Sequence, residues 1–80
     1  MAPGLRRLIK KYPKLPDELQ AEVIVAVWDY YFTLNAGDLD DILDVLIDHQ
    51  QKYEAAENYE MCAVLRDVLR YFNELSTPEV

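Results

Sequence analysis

The sequence predicts an all-α fold, a small bundle of three long helices and one short basic helix at the N-terminus. Apolar residues recur at three- and four-residue steps over most of the 80 residues. No segment alternates apolar and polar residues at period two, the pattern of a half-buried strand. Gly4 and Gly37 are the only glycines, and the connections are short. We therefore expect a single domain, residues 1–80, in which neighbouring long helices run antiparallel.

The first helix is short, basic and amphipathic. It is predicted over about residues 5–12 by four apolar residues at helical spacing with basic residues between them: Leu5, Leu8, Ile9 and Tyr12. Pro13 is expected to end it, because the proline ring clashes with the preceding turn and removes a backbone donor.

The second helix is predicted to run from about Pro16 to Leu34. A proline followed by two acids suits a first turn, because the proline lacks only a donor that is unpaired there and the helix dipole favours the acids. Between Val23 and Leu34 only Asp29 and Thr33 are polar. Since apolar residues cover most of its sides, this helix is expected to form the centre of the bundle or part of a subunit interface.

The third and fourth helices form a predicted C-terminal hairpin. Residues 35–37, Asn-Ala-Gly, tolerate the left-handed conformation that ends the second helix. Asp38 is the predicted N-cap of the third helix, over about residues 38–55. A short break precedes the fourth, over about residues 58–75, whose apolar stripe is wide: Met61, Cys62, Leu65, Val68, Leu69, Phe72 and Leu75. Residues 76–80 are expected to form a frayed tail.

The composition limits the class of protein. Hydrophobic residues make up 51% of the chain, which argues against intrinsic disorder. The single cysteine, Cys62, cannot form an intramolecular disulfide, and the N-terminus lacks the apolar core of a secretion signal. The longest apolar stretch falls short of the roughly 20 residues of a membrane span. We expect a cytoplasmic protein of a bacterium or a phage-infected host cell, with no membrane partner.

Charge is divided unevenly along the chain, whose net charge is −7. Residues 1–16 hold five basic residues and no acid, whereas residues 17–80 hold all fifteen acids and three basic residues. Most of the chain would repel phosphate, so we expect no binding to duplex nucleic acid. The basic cluster predicts either neutralisation by the acidic body of its own or a neighbouring subunit, or binding of a phosphate-bearing ligand or an acidic partner. Its members are Arg6, Arg7, Lys10 and Lys11.

Residues 58–69 carry a family resemblance. They read Asn-Tyr-Glu-Met-Cys-Ala-Val-Leu-Arg-Asp-Val-Leu, with an aromatic–Glu pair, a small pair and a Leu-Arg-Asp signature. This pattern resembles the UVR motif, the helical hairpin through which the repair proteins UvrB and UvrC contact each other. In the preceding helix, Gln50 and Tyr53 stand where that family usually has an apolar residue and an alanine. The resemblance covers about the C-terminal third of the chain and implies helix-mediated contact with another protein.

Residues able to support catalysis or metal binding are few, and we expect neither an enzyme nor a cofactor. His49 follows Asp48, but neighbours in sequence on a helix do not face each other. Cys62 lies on an apolar face with no second cysteine or fixed histidine partner, so a small core residue is expected rather than a nucleophile. The run that begins at Asp38 lacks the glycine and closing glutamate of a calcium loop, so a capped helix start is expected rather than a metal site.

The leading hypothesis is a non-enzymatic adaptor or inhibitor that binds another protein through a helical surface. One tryptophan, six tyrosines and two phenylalanines are more aromatic residues than a small core buries, and aromatic residues dominate interface hot spots. The expected contact residues are aromatic anchors and an acidic ridge: Trp28, Tyr30, Tyr31, Phe32, Tyr71, Asp41, Asp44 and Asp48. The ridge has two interpretations, an ordinary solvated face or a mimic of a phosphate backbone.

Two further expectations concern origin and assembly. Small acidic helical proteins are frequent among phage products that disable host machinery, so the hypothesis includes a phage or mobile-element product that modulates a bacterial host protein. We expect a homodimer or higher oligomer, because more apolar helix is present than a lone bundle of this size hides. The alternative function is an oligomer that sequesters a nucleotide or another phosphorylated small ligand between its basic helices.

Overall fold

Four α-helices and one 3₁₀ turn make up the described part of the chain. The computed structural model describes residues 3–76, and the side chains of residues 3–74. In chain order the elements are α1 (Pro3–Lys10), the 3₁₀ turn (Tyr12–Lys14), α2 (Asp17–Leu34), α3 (Leu39–Ala55) and α4 (Tyr59–Ser76). No strand occurs in the described residues, so the all-α class is confirmed. The predicted C-terminal tail lies outside this range, apart from Ser76.

The basic N-terminal segment differs from its predicted form. The helix ends at Lys10, and Tyr12–Lys14 forms a separate 3₁₀ turn with Pro13 in its first positions. Proline is accepted there because the first positions of a helix need no backbone donor. The predicted end of the helix at residue 12 is thus corrected, and the turn places Tyr12 in the core at 2% exposure.

The turns after α2 and α3 have the same backbone pattern. At the end of α2, Ala36 has a φ of 53°, and the amide of Gly37 donates to the carbonyl of Phe32 at 2.8 Å. At the end of α3, Glu57 has a φ of 59°, and the next amide donates to the carbonyl of Tyr53 at 2.8 Å. Both are Schellman-type ends, in which a left-handed residue lets the last carbonyls find donors. In neither turn is the first left-handed residue a glycine, although Gly37, which follows Ala36, is left-handed as well, with a φ of 76°.

The start of α3 has the predicted cap. The Asp38 carboxylate accepts hydrogen bonds from the amides of Asp40 at 3.1 Å and Asp41 at 3.2 Å. These amides belong to the first turn, where backbone donors have no partner within the helix. The side chains of Asp40 and Asp41 lie near the positive end of the helix dipole, which stabilises their negative charge. The run of acids after Gly37 therefore starts a helix, as expected.

The central helix of the bundle is α4. It packs against α1, α2, α3 and the 3₁₀ turn, most extensively against α3. Its buried residues are Met61, Val64, Leu65 and Val68. The other elements complete the core with Ile9, Tyr12, Val23, Val27, Tyr31, Ile42 and Leu46. The most apolar helix, α2, therefore lies at the side of the bundle rather than at its centre.

Candidate functional site

An aromatic cluster joins one face of α2 to α4. The ring centroid of Trp28 lies 5.4 Å from that of Phe72 and 6.1 Å from that of Tyr71. Along its own helix, Trp28 lies 6.3 Å from Phe32. These separations are those of ordinary aromatic contacts, so the four rings form one cluster. Three of them are half-buried, whereas Phe32 is 42% exposed.

The face of α2 beside this cluster is apolar and open. Val25 lies about one turn before Trp28 and is 49% exposed. A shallow groove around Val25 is lined by two exposed alanines and flanked by the acids Glu22 and Asp29. Together these residues make an apolar strip with acidic edges, which we call the α2–α4 surface. It is defined by Val25, Trp28, Phe32, Tyr71 and Phe72.

One of the predicted aromatic anchors, Tyr31, is corrected to a core residue. It is only 2% exposed, so it is not available to a partner while the protein is folded. Its hydroxyl is hydrogen-bonded to Nδ1 of His49 at 2.8 Å. Burial, followed by the neighbouring Tyr53 and Tyr30 side chains, raises the pKa of Tyr31, so the hydroxyl keeps its proton at neutral pH. The contact links α2 to α3.

The other predicted anchors lie in two places. Trp28, Phe32 and Tyr71 meet in the α2–α4 surface. Tyr30, 37% exposed, instead lines a cleft beside α1. Residues one or two positions apart on a helix point to different sides of it. The consecutive residues Tyr30, Tyr31 and Phe32 therefore lie in the cleft, in the core and in the α2–α4 surface, respectively.

The predicted acidic ridge is exposed along α3. Asp41, Asp44 and Asp48 are all exposed. The carboxylate of Asp48 lies 3.0 Å from Nζ of Lys52, and both side chains of this pair are more than half exposed. Exposed pairs of this kind contribute about 0–1 kcal/mol. The ridge is open to solvent, which fits both a solvated face and a contact surface.

A cleft of about 660 Å³ lies between α1 and the three longer helices. Its lining combines a basic rim on α1, aromatic rings from α2 and α3, and polar residues at the start of α4: Arg6 and Lys10; Tyr30, His49 and Tyr53; Asn58 and Glu60. Of the four predicted anion-binding residues, Arg6 and Lys10 line this cleft, whereas Arg7 and Lys11 do not. The structure therefore divides the basic cluster into two pairs.

Aromatic rings form a connected wall in this cleft. The ring centroids of Tyr30 and Tyr31 are 5.4 Å apart, those of Tyr31 and His49 are 5.5 Å apart, and those of His49 and Tyr53 are 6.4 Å apart. The buried Tyr31 and its hydrogen bond to His49 hold the middle of the wall. Its two ends, Tyr30 and Tyr53, are more accessible.

The basic residues of α1 form no ion pair among residues 3–74. The ion pairs in that range are Lys52 with Asp48 and Arg66 with Asp67. All four members of the basic cluster are exposed. Direct pairing with acids of the same chain, one of the expected arrangements, is therefore not formed there. Neutralisation by a neighbouring subunit and anion binding stay predictions.

A polar contact ties the N-terminal segment to α4, and nothing in the local sequence indicates it. The hydroxyl of Tyr12 donates to Oδ2 of Asp67 at 2.6 Å, across 55 positions in the chain. The other carboxylate oxygen of Asp67 lies 3.5 Å from Nε of Arg66. Burial and the bond to Asp67 raise the pKa of Tyr12, because both disfavour the phenolate. Asp67 of the UVR-like stretch thus contacts the N-terminal part of the fold.

Cys62 lies where α4 packs on α3. It is half-buried, and its Sγ is 3.7 Å from the carbonyl oxygen of Gln50. Within the described residues, no group of three or more His, Cys, Asp or Glu is placed to hold a metal ion. None of the helices in this part of the chain combines the length and apolar character needed to cross a membrane.

No protein-family model, curated protein or solved structure matches the sequence. The resemblance of residues 58–69 to the UVR motif therefore stays a prediction.

Proposed function

We propose that this protein is a non-enzymatic adaptor or inhibitor that binds a partner protein through the α2–α4 surface. The observation that supports the proposal is the exposure of Val25 (49%) and Phe32 (42%) beside a cluster of half-buried rings. Contiguous exposed apolar patches on small proteins are typical of contact sites. Tryptophan and tyrosine, both present in the cluster, are enriched among the residues that dominate binding energy.

The flanking charges indicate the chemistry of the partner. Glu22 and Asp29 flank the groove around Val25, and residues outside the N-terminal segment are strongly acidic. Charges at the rim of an interface mainly steer association and select the partner. The partner surface should therefore be apolar at its centre and basic at its edge. A second copy of this chain is the competing occupant.

The UVR-like stretch supports the same class of function. Its resemblance implies contact between proteins through a helical hairpin. In this chain Tyr59, 66% exposed, and Arg66 are open to solvent, whereas Leu65 belongs to the core. The setting we propose is the bacterial cytoplasm, where a product of phage or mobile-element origin would modulate a host protein. Small size, acidity and an all-helical fold support that setting.

Capture from a bacterial lysate with matched variants tests the proposal. Val25→Gln and Ile47→Gln replace β-branched residues of similar exposure, 49% and 42%, on different helices. We expect the unaltered protein and Ile47→Gln to recover the same stoichiometric partner, because Ile47 lies outside the α2–α4 surface. Val25→Gln should recover much less of it. Thermal melts show whether both variants are folded.

Two results would contradict this function. One is the recovery of no stoichiometric partner. The other is equal recovery by all three proteins, which would move the contact away from Val25. Light scattering separates the competing occupant: a dimer that dissociates with Val25→Gln but not with Ile47→Gln would assign the surface to a second copy of the chain.

A further inference from the structure

The cleft beside α1 carries two cations that make no ion pair in the described part of the chain. Arg6 and Lys10 are four residues apart on α1, so they lie on the same side of that helix. Neither lies within ion-pairing distance of a carboxylate of residues 3–74. Guanidinium binds phosphate oxygens in a bidentate manner, and an ammonium adds a point charge. The rim therefore suits a phosphate group.

The rings in the same cleft suit a planar ligand. Tyr30 is 37% exposed and Tyr53 is half-buried. Both belong to the wall that the hydrogen bond between Tyr31 and His49 holds in place. Any of the nucleobases can stack on an aromatic side chain, because every base has a π face. An anion without a ring would leave this wall unused.

Two polar side chains at the start of α4 complete the lining. Oδ1 of Asn58 accepts a hydrogen bond from the amide of Met61 at 3.3 Å, which fixes the side chain at the helix start. Its amide nitrogen remains a donor, and the carboxylate of Glu60 is an acceptor in the same cleft. A donor with an acceptor nearby is the pattern that side chains use to bind the edge of a nucleobase.

The volume of the cleft, about 660 Å³, lies within the roughly 300–1,000 Å³ of small-molecule sites. We propose that it binds a nucleoside phosphate, with the phosphate at Arg6 and Lys10 and the base against the rings of Tyr30 and Tyr53. The α2–α4 surface shares none of these residues. Ligand binding here is therefore a further function, independent of the partner protein.

Isothermal titration with the four ribonucleoside 5′-monophosphates tests the site. At least one of them should bind with a Kd below about 1 mM. The same nucleoside without phosphate, and inorganic phosphate alone, should each bind at least about tenfold more weakly, because each engages only one half of the cleft. Binding should weaken with added salt, since a charge-held phosphate is screened.

Paired variants show whether the cleft or the general charge holds the nucleotide. R6Q/K10Q and R7Q/K11Q each remove two positive charges from neighbouring, exposed positions, but only the first pair lines the cleft. We expect R6Q/K10Q to weaken binding about tenfold or more and R7Q/K11Q to change it by less than about threefold. Tyr53→Leu should weaken nucleotide binding but not the binding of inorganic phosphate. Thermal melts confirm that each variant is folded.

Three results would overturn the proposal. The first is that none of the four monophosphates binds. The second is an equal loss in both double variants, which would indicate general attraction rather than a site. The third is inorganic phosphate binding as tightly as a nucleotide. Capture of a partner protein would survive all three results, because Val25 does not line the cleft.

Discussion

The two longest helices, α2 and α4, have 18 residues each but different parts in the fold. The more apolar one, α2, buries Val23, Val27 and Tyr31 and leaves residues such as Val25 and Leu34 exposed. Both helices pack against all the others, but α4 does so more extensively. The apolar residues of α4 share one broad stripe, whereas those of α2 are spread around the helix. A stripe can be covered by neighbours in the same chain, whereas α2 is left with several exposed apolar residues.

The same substitution in the two helices should have very different effects on stability. Leu65 on α4 is 0% exposed, and Leu34 at the end of α2 is 61% exposed. Leu65→Ala removes buried methyl groups and leaves a cavity, so we expect it to lower the free energy of unfolding by about 2–5 kcal/mol. Leu34→Ala should change it by less than about 0.5 kcal/mol. Urea denaturation measures both.

If Leu65→Ala and Leu34→Ala lowered the free energy of unfolding by comparable amounts, α2 would be as central to the fold as α4, which would contradict the comparison of the two helices. A large loss for Leu34→Ala alone would indicate that its exposed side chain is covered in solution. Light scattering at the same protein concentration tests this explanation, since an oligomer would cover the Leu34 side chain.

The spacing of apolar residues predicts which segments are helices, but not which helix is central. The carboxylate of Asp38 and the acids after it indicate the start of α3, because capping is a local interaction. The centre of the bundle depends on packing between segments far apart in the chain. That is why the apolar run of α2 leaves a central position and a subunit interface both open, while the structure gives the central position to α4.

Alkaline pH should weaken the contacts that both helices make through tyrosine. Burial, and for Tyr12 also the bond to Asp67, raises the pKa of Tyr12 and Tyr31 above the ordinary value of 10.0. The folded state therefore binds these protons more tightly than the unfolded state. The stabilisation is complete below pH 10 and is lost as the pH rises above it. Urea denaturation at about pH 8 and about pH 11 should show a clear loss of stability.

A free energy of unfolding that is unchanged between the two pH values would contradict this prediction. The variants Tyr12→Phe and Tyr31→Phe measure how much of the alkaline loss of stability comes from each tyrosine. Each variant should lose less stability than the unaltered protein over the same pH interval, because one of the two titrating groups is gone.

At neutral pH, the tyrosine that contacts α4 should matter more than the one on α2. The hydroxyl of Tyr12 donates to the carboxylate of Asp67, whereas Tyr31 is bonded to the ring of His49. Hydrogen bonds to charged groups contribute about 1.5–3 kcal/mol and neutral ones about 0.5–1.5 kcal/mol. We expect Tyr12→Phe to be the more destabilising change in urea denaturation. The opposite order would show that the link from α2 to α3 outweighs the link to α4.

The candidate sites were only partly predictable from the sequence. Arg6 and Lys10 stand out as cations, but the sequence does not separate them from Arg7 and Lys11. The separation depends on which side of α1 faces Tyr30 and Tyr53, residues that lie on two other helices. Likewise, a run of aromatic residues predicts a contact surface, yet helical rotation sends Tyr31 into the core and Phe32 to the outside.

The smallest expected effects concern the turns after α2 and α3. Ala36 and Glu57 have φ values of 53° and 59°, which cost an L-residue about 1–2 kcal/mol. Glycine avoids this strain but loses about 0.5–1 kcal/mol of chain entropy on folding. Ala36→Gly and Glu57→Gly should therefore each raise the free energy of unfolding by about 0.5–1 kcal/mol in urea denaturation.

Gly37→Ala is the contrasting variant, and it connects the turn after α2 to the α2–α4 surface. Gly37 has a φ of 76°, and an added Cβ would lie 3.2 Å from Cζ of Phe32. We expect a loss of stability of about 1 kcal/mol, together with weaker capture of the partner protein because the exposed ring must move. Glu57→Gly, in the turn before α4, should leave capture unchanged. If Gly37→Ala lowers stability but not capture, the position of the Phe32 ring does not contribute to binding, and the contact surface is limited to the part of α2 around Val25 and Trp28.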